Sequence, residues 1–138
     1  MTRTNAAIAD SVFMPGFELN PYPFFRCATA LVMTSEREGL GMAMVEALAP
    51  GLPAVAFDAP SGPREVLCDG RFGLLVRAGD VGALASALGR VVRESSLRSQ
   101  LSADGAERAR DFEPGAASKL FAAELRRVAD EARCPSGR

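Results

Sequence analysis

The sequence predicts an α/β fold of the Rossmann-like kind, a parallel sheet with flanking helices, and three observations carry that prediction. Short apolar runs alternate with stretches of helical period along most of the 138 residues. Runs such as AVAF at 54–57 are continuously apolar instead of alternating, as suits strands buried on both faces. Pro-Gly pairs at 15–16 and 50–51 punctuate the pattern where a strand or helix must stop. Alternation of this kind favours helices covering both faces of the sheet.

Taken in order, Val12 to Met14 is the first strand candidate, closed by Pro15-Gly16. A helical pattern follows at about Pro23 to Ala28, then a strand at Leu31 to Met33. Gly41 to Ala49 has helical spacing and is stopped by Pro50-Gly51, and Ala54 to Phe57 is the third strand. Pro63 suits the first turn of a short helix running to Leu67, and Gly73 to Val76 is the fourth strand. Three longer helices are expected at Val81 to Arg93, Ser96 to Arg110 and Ala116 to Ala132. No internal repeat or low-complexity tract interrupts residues 1–138, and the length suits a single domain.

Composition removes several classes of function. With 48% hydrophobic residues, 24% charged and a net charge of −1, nothing marks a basic nucleic-acid surface, an acidic tail or a disordered chain. Cys27, Cys68 and Cys134 are odd in number and far apart, so neither a disulfide framework nor a zinc site is signalled, and a reducing cytoplasm fits best. No run approaches the ~20 apolar residues of a membrane span, and the N-terminus lacks the basic-then-apolar pattern of an export signal. The absence of histidine excludes Ser-His-Asp hydrolases and histidine-ligated metals. Gly39-Leu40-Gly41 begins like a dinucleotide fingerprint, but Met44 stands where the third glycine belongs, and no P-loop occurs.

The stretch EREGLGMAMVEALA at 36–49 remains to be explained. It is apolar enough for burial all round, yet Glu46 lies inside it and Glu38 at its mouth. A helix starting near Gly41 offers unpaired backbone N–H groups to an anion, and two glycines let a ligand come close. Glu46, about one and a half turns in, sits among apolar neighbours, where a carboxylate is costly without donors; a ribose diol supplies two. The plain alternatives are that Glu38 is a helix-start acid favoured by the dipole and that Glu46 pairs with a core arginine such as Arg64. Asp58 and Ser61-Gly62-Pro63 read as a strand-to-helix turn, Tyr22 and Phe24 as core, and Arg126, Arg127 and Arg133 as a solvated helix face with at most a weak attraction to anionic lipid.

The run from Asn20 to Asp80 resembles the C-terminal, nucleotide-sugar-binding half of group 1 (family 4) glycosyltransferases with the GT-B fold. The paired glutamates Glu38 and Glu46, the EGLG turn, EALAPGLPAVAFD, GPRE and DGRFGLLV occur in the family's order, and the match extends over roughly Asp10 to Asp80. The resemblance implies a retaining transfer of a sugar from a nucleotide donor, a UDP-sugar by family habit, to a glycan or lipid-linked acceptor. It implies that Glu38 contacts donor-sugar hydroxyls near the reacting carbon and acts in catalysis, and that Glu46 holds the ribose. Backbone amides of Gly39, Leu40, Gly41 and Met42 would face the sugar and diphosphate, Val45 would pack near the nucleoside, and Phe17 and Glu18 would touch the base. It further implies no bound metal and no cofactor beyond the donor itself, so positive side chains and helix dipoles would stabilise the leaving diphosphate.

Members of that family carry a second Rossmann-like domain on the N-terminal side, which binds the acceptor, and an arginine and a lysine that grip the diphosphate in a stretch that would precede Met1. Losing two such contacts weakens donor binding by roughly a hundred- to ten-thousand-fold or more. The chain alone is therefore expected to be a partial, poorly active donor-binding domain, with a non-catalytic nucleotide-sugar-binding domain as the alternative reading. A family sheet order resembling 3-2-1-4-5-6 would leave Val12 to Met14 without its neighbours, so that this strand either docks beside Leu31 to Met33 or frays. The exposed edge would invite self-association. The expected location is the cytoplasm, including the inner face of the membrane.

Overall fold

A computed structural model describes residues 6–133. Its centre is a three-stranded parallel sheet of order β1-β2-β3, formed by β1 (Leu31–Met33), β2 (Ala54–Asp58) and β3 (Leu74–Arg77). The helices are α1 (Tyr22–Cys27), α2 (Met42–Leu48), α3 (Pro63–Val66), α4 (Val81–Arg93), α5 (Ser95–Ala109) and α6 (Pro114–Arg133), with short 3-10 turns at Ala6–Ser11 and Arg110–Phe112.

The middle strand shows why the sequence folds this way. Its register is Ala54 beside Leu31 on one side and Val55 beside Leu74 on the other, so both of its edges are satisfied. Because side chains alternate across a strand, Ala54 and Ala56 face one layer while Val55 and Phe57 face the other. On the first face the alanines let α2 and α3 approach closely, with Met44, Val45, Leu48, Val66 and Leu67 closing the cluster. On the second, Val55 and Phe57 pack with Leu84 and Val91 of α4 and Leu101 of α5. Each such fully buried aliphatic side chain contributes about 1.5–3 kcal/mol. Helices therefore cover both faces, as the alternating pattern predicts.

Helix α2 is amphipathic, not apolar all round as its composition suggests: Met44, Val45, Ala47 and Leu48 are buried, whereas Met42 and Ala43 are exposed. Its buried face meets α5 so closely that a Cβ at Gly105 would stand 2.7 Å from Leu48 Cδ2. The first turn of α4 is capped by Asp80, whose Oδ1 accepts from the Ala83 amide at 2.8 Å. Helix α6 rests on the 3-10 turn before it, and its Leu120, Phe121, Leu125 and Val128 are exposed.

Two expectations are corrected. Val12 to Met14 forms no strand; the segment lies outside the sheet with Val12, Phe13 and Met14 exposed, and among the described residues β1 pairs with β2 alone. Isolated extended backbone gains no ladder hydrogen bonds, and of the two outcomes expected for this segment docking beside β1 does not occur. Tyr22 and Phe24 are not core: both are exposed on α1, and Tyr22 makes an edge-to-face contact with Phe25 at 5.9 Å. Among the described residues no helix is long and apolar enough to cross a membrane.

Candidate functional site

The loop between β1 and α2 is shaped by Gly41, which takes a left-handed conformation (φ 79°, ψ 51°) that a side chain disfavours. It is the N-cap of α2, and its carbonyl accepts from the Met44 amide at 2.8 Å. No side chain caps this end, so the amides of Met42 and Ala43 have no hydrogen-bond partner among the described residues. The loop thus presents Glu38, Gly39, Leu40 and Gly41 at the carboxyl end of β1, where ligands of parallel α/β sheets bind.

Glu46 lies four residues after Met42, on the same outward stripe of α2. It is only partly buried, and no charged residue among those described is fully buried. The expectation of an acid sunk in the core is therefore corrected: the carboxylate reaches the surface. It has no hydrogen-bond or ion-pair partner among the described residues. Arg64, the partner offered for it above, is engaged elsewhere: its Nε donates to Asp58 Oδ1 at 3.0 Å, Nη2 to Asp58 Oδ2, and Nη1 to Asp69 Oδ1 at 2.6 Å. These bonds, with Asp58 first, raise the Arg64 pKa above its ordinary value. Glu46 is therefore left available to a ligand.

The second loop, after β2, is knit into the first. The Ser61 hydroxyl donates to the Glu38 carbonyl oxygen at 2.8 Å, with the Pro60 carbonyl at 2.6 Å as its other acceptor. Ser61 has φ 59° and Gly62 φ 69°. A Cβ at Gly62 would stand 2.8 Å from the Gly39 carbonyl oxygen and 3.1 Å from Glu38 Cβ, so only glycine fits. Sequence reasoning treats Ser61-Gly62-Pro63 as an ordinary turn and misses this buttress. The visible signal is a small-residue pair placed at the carboxyl end of the next strand.

The remaining expected residues are dispersed. Val45 is 7% exposed and belongs to the core cluster, seating α2 on β2. Phe17 is 91% exposed and Glu18 also lies at the surface, so neither is packed into a wall of the site within this chain. A cleft of about 480 Å³ at the carboxyl ends of β2 and β3 is lined by Asp58, Arg64, Asp69 and Arg77. Another, of about 400 Å³, lies at the opposite end of the sheet beside Thr29 and Pro53, away from both loops. Cys27 and Cys68 are free and exposed, and Cys134 lies outside the described residues. Arg127 is paired with Glu124 and Glu131 on an exposed face of α6; Arg126 is exposed there too, and the Arg133 side chain lies outside the described residues.

A parallel sheet layered on both faces by helices, with joined loops at its carboxyl edge, is the architecture of a GT-B glycosyltransferase domain. The crystal structure of TarM shares this fold, with a TM-score of 0.71 and 24% identity over 83% of this chain and 24% of that one. The chain belongs to the family of glycosyl transferases group 1, whose model matches residues 3–108. It is 33% identical over 104 residues to the lipopolysaccharide core biosynthesis glycosyltransferase LpsE of Rhizobium meliloti, covering 75% of this chain and 30% of LpsE. It is 46% identical over 76 residues to the phosphatidyl-myo-inositol mannosyltransferase of Mycobacterium leprae, covering 55% of this chain and 20% of that enzyme. The chain thus spans under a third of the length of either relative.

Proposed function

We propose that this chain is the donor-binding portion of a retaining glycosyltransferase that moves a sugar from a nucleotide sugar, a UDP-sugar, to a glycan or lipid-linked acceptor on the cytoplasmic side of a membrane. The observation that carries the reading is the Glu38–Gly41 loop: a glycine-shaped turn braced by a second loop, opening onto a helix whose outward stripe holds an unpartnered Glu46. In this reading Glu46 accepts from the two ribose hydroxyls, which a solvent-reaching carboxylate does without the desolvation penalty of a buried one. Glu38 contacts donor-sugar hydroxyls near the reacting carbon. The free amides of Met42 and Ala43, with the backbone of Gly39 to Gly41, donate to the diphosphate. Helix α2 has seven residues, so its individual N–H groups matter more than its macrodipole. Membership of the family and the lipid-linked products named for LpsE and the mannosyltransferase support the donor and acceptor classes.

A second reading, donor binding without transfer, draws on Phe17, which at 91% exposure packs against nothing that would make it a wall for the base. Calorimetric titration of the chain with UDP and UDP-sugars tests the first part of the proposal. Glu46→Gln is expected to weaken UDP binding about ten- to a hundred-fold, the loss of charge-assisted bonds worth about 1.5–3 kcal/mol. Equal affinity in both would remove Glu46 from the ribose. Turnover of a nucleotide sugar that survives Glu38→Ala unchanged would exclude Glu38 from catalysis, whereas donor binding with no turnover in the unsubstituted protein would leave the binding-only reading.

A further inference from the structure

We propose that Arg108, far from the Glu38 loop in sequence and on a different helix, is a positioning residue for it, acting through α3. This rests on the donor-binding role proposed for Glu38. Helix α3 is a single turn, Pro63–Val66, roughly 6 Å long, too short to hold its own shape. Its Pro63, Arg64 and Glu65 carbonyls accept from backbone amides that follow, the Glu65 carbonyl from Cys68 at a long 3.3 Å, while the Val66 carbonyl has no backbone donor among the described residues and takes Arg108 instead. The guanidinium Nη2 donates to the Glu65 carbonyl at 2.9 Å and Nε to the Val66 carbonyl at 3.0 Å. Its third nitrogen, Nη1, donates to Asp111 Oδ2 at 2.8 Å. The cation also lies over the rings of Phe112 (4.7 Å) and Phe72 (5.8 Å). At 16% side-chain exposure this charge is held by partners on every side, and its planar fork fixes an angle between α5 and α3 that an ammonium does not reproduce.

The opposite end of α3 is the buttress. Gly62, its N-cap, lies close enough to the Gly39 carbonyl that a Cβ would clash there, and Ser61, the residue before, holds the Glu38 carbonyl. One rigid turn therefore links the Arg108 fork at its C-terminal end to the Glu38 loop at its N-terminal end. Burial of Val66 and Leu67 anchors α3 to the core but leaves rotation about that anchor, which the fork suppresses.

The test uses the isotopically labelled full chain with UDP-glucose as the probe. Arg108→Met keeps the stem between the two rings and removes every donor. It is expected to lower the backbone order parameters of Gly39 and Leu40 from a rigid value of about 0.85 toward about 0.6, leaving Ala54 to Phe57 unchanged. UDP-glucose affinity is expected to fall about ten-fold. Ser61→Ala should give the same local loss, and the double variant should be no worse than either single one, because both break one path. Arg108→Lys, with one carbonyl in reach, should fall between and decides the matter if Arg108→Met does not fold. Unchanged order at Gly39 and Leu40 in a folded Arg108 variant, or additive losses with Ser61→Ala, would overturn the clamp. Failure of the unsubstituted chain to bind UDP-glucose would instead sink the donor reading, while the order parameters still decide whether Arg108 holds the loop.

Discussion

Two stretches of this chain are alike in composition and opposite in fate. Helix α2 and residues 12–19 both mix large apolar side chains with one glutamate, Glu46 in the first and Glu18 in the second. In α2 Met44, Val45, Ala47 and Leu48 are buried, while Phe13 is 79% exposed and Met14, Phe17 and Leu19 are exposed with it. The difference lies in neighbours. Apolar area contributes to stability only when another surface takes it out of water, and the sheet offers Ala54 and Ala56 to α2 but no strand to Val12–Met14. The same contrast separates the site residues: Glu38 and Glu46 stand on scaffolded backbone, whereas Phe17 and Glu18 do not.

The sharpest way to break this comparison is to remove apolar surface from each stretch in turn. Leu48 is fully buried and touches the space above Gly105, so Leu48→Ala leaves a cavity between α2 and α5. It is expected to lower unfolding free energy by about 2–5 kcal/mol in urea or thermal melts. A loss under about 1 kcal/mol would mean that α2 is not the keystone of its layer.

Gly62→Ala asks whether the scaffold reaches the loop. The new methyl would meet the Gly39 carbonyl at 2.8 Å at a backbone angle, φ 69°, that alanine tolerates poorly. A cost of about 1–3 kcal/mol is expected. Amide chemical shifts should move at Glu38 to Leu40 and stay put in β3. Shifts confined to α3 would separate the two loops and undo the site as drawn.

The sequence made β2 and α2 legible for a physical reason: AVAF is short, rich in β-formers and apolar without alternation, as suits a strand covered on both faces, and Pro50-Gly51 ends the helix sharply. Val81 to Arg93 was equally legible, since Asp80 supplies its cap and Leu84 and Val91 its buried stripe. Val12 to Met14 was misread because strand propensity is local and strand pairing is not. Glu46 looked buried because its neighbours are apolar, yet helical geometry places it on the outward stripe with Met42. The Ser61–Glu38 and Arg108–Val66 bonds span 23 and 42 residues, and no spacing rule reports contacts that long-range.

On the other side of the comparison, Phe13→Ser should change stability by no more than about 0.5 kcal/mol, as for any exposed side chain. Amide hydrogens of Val12 to Met14 should exchange near the unprotected rate while those of Ala54 to Phe57 exchange slowly. Strong protection at 12–14 would mean that this segment pairs with a strand in solution.

Helix α6 shares the condition of residues 12–19, with Leu120, Phe121, Leu125 and Val128 exposed, but it is helical and carries local charge pairs. Arg127 Nε donates to Glu124 Oε1 at 3.1 Å, and its Nη1 reaches Glu131. The bond from Arg127 holds the Glu124 pKa below the usual carboxylate value and raises that of Arg127. A depressed folded pKa contributes stability that is present above the unfolded value, about 4.3, and is lost as pH falls through the folded one. Helicity of α6 should therefore decline in acid below about pH 4, and the pairing part of that decline should vanish in Glu124→Gln or in about 1 M salt, because both groups face water. This is the smallest effect expected, since exposed pairs in water are weak. An acid transition of α6 untouched by salt and by Glu124→Gln would show that packing, not charge, holds this helix, and α6 would then belong with α2 instead of with residues 12–19.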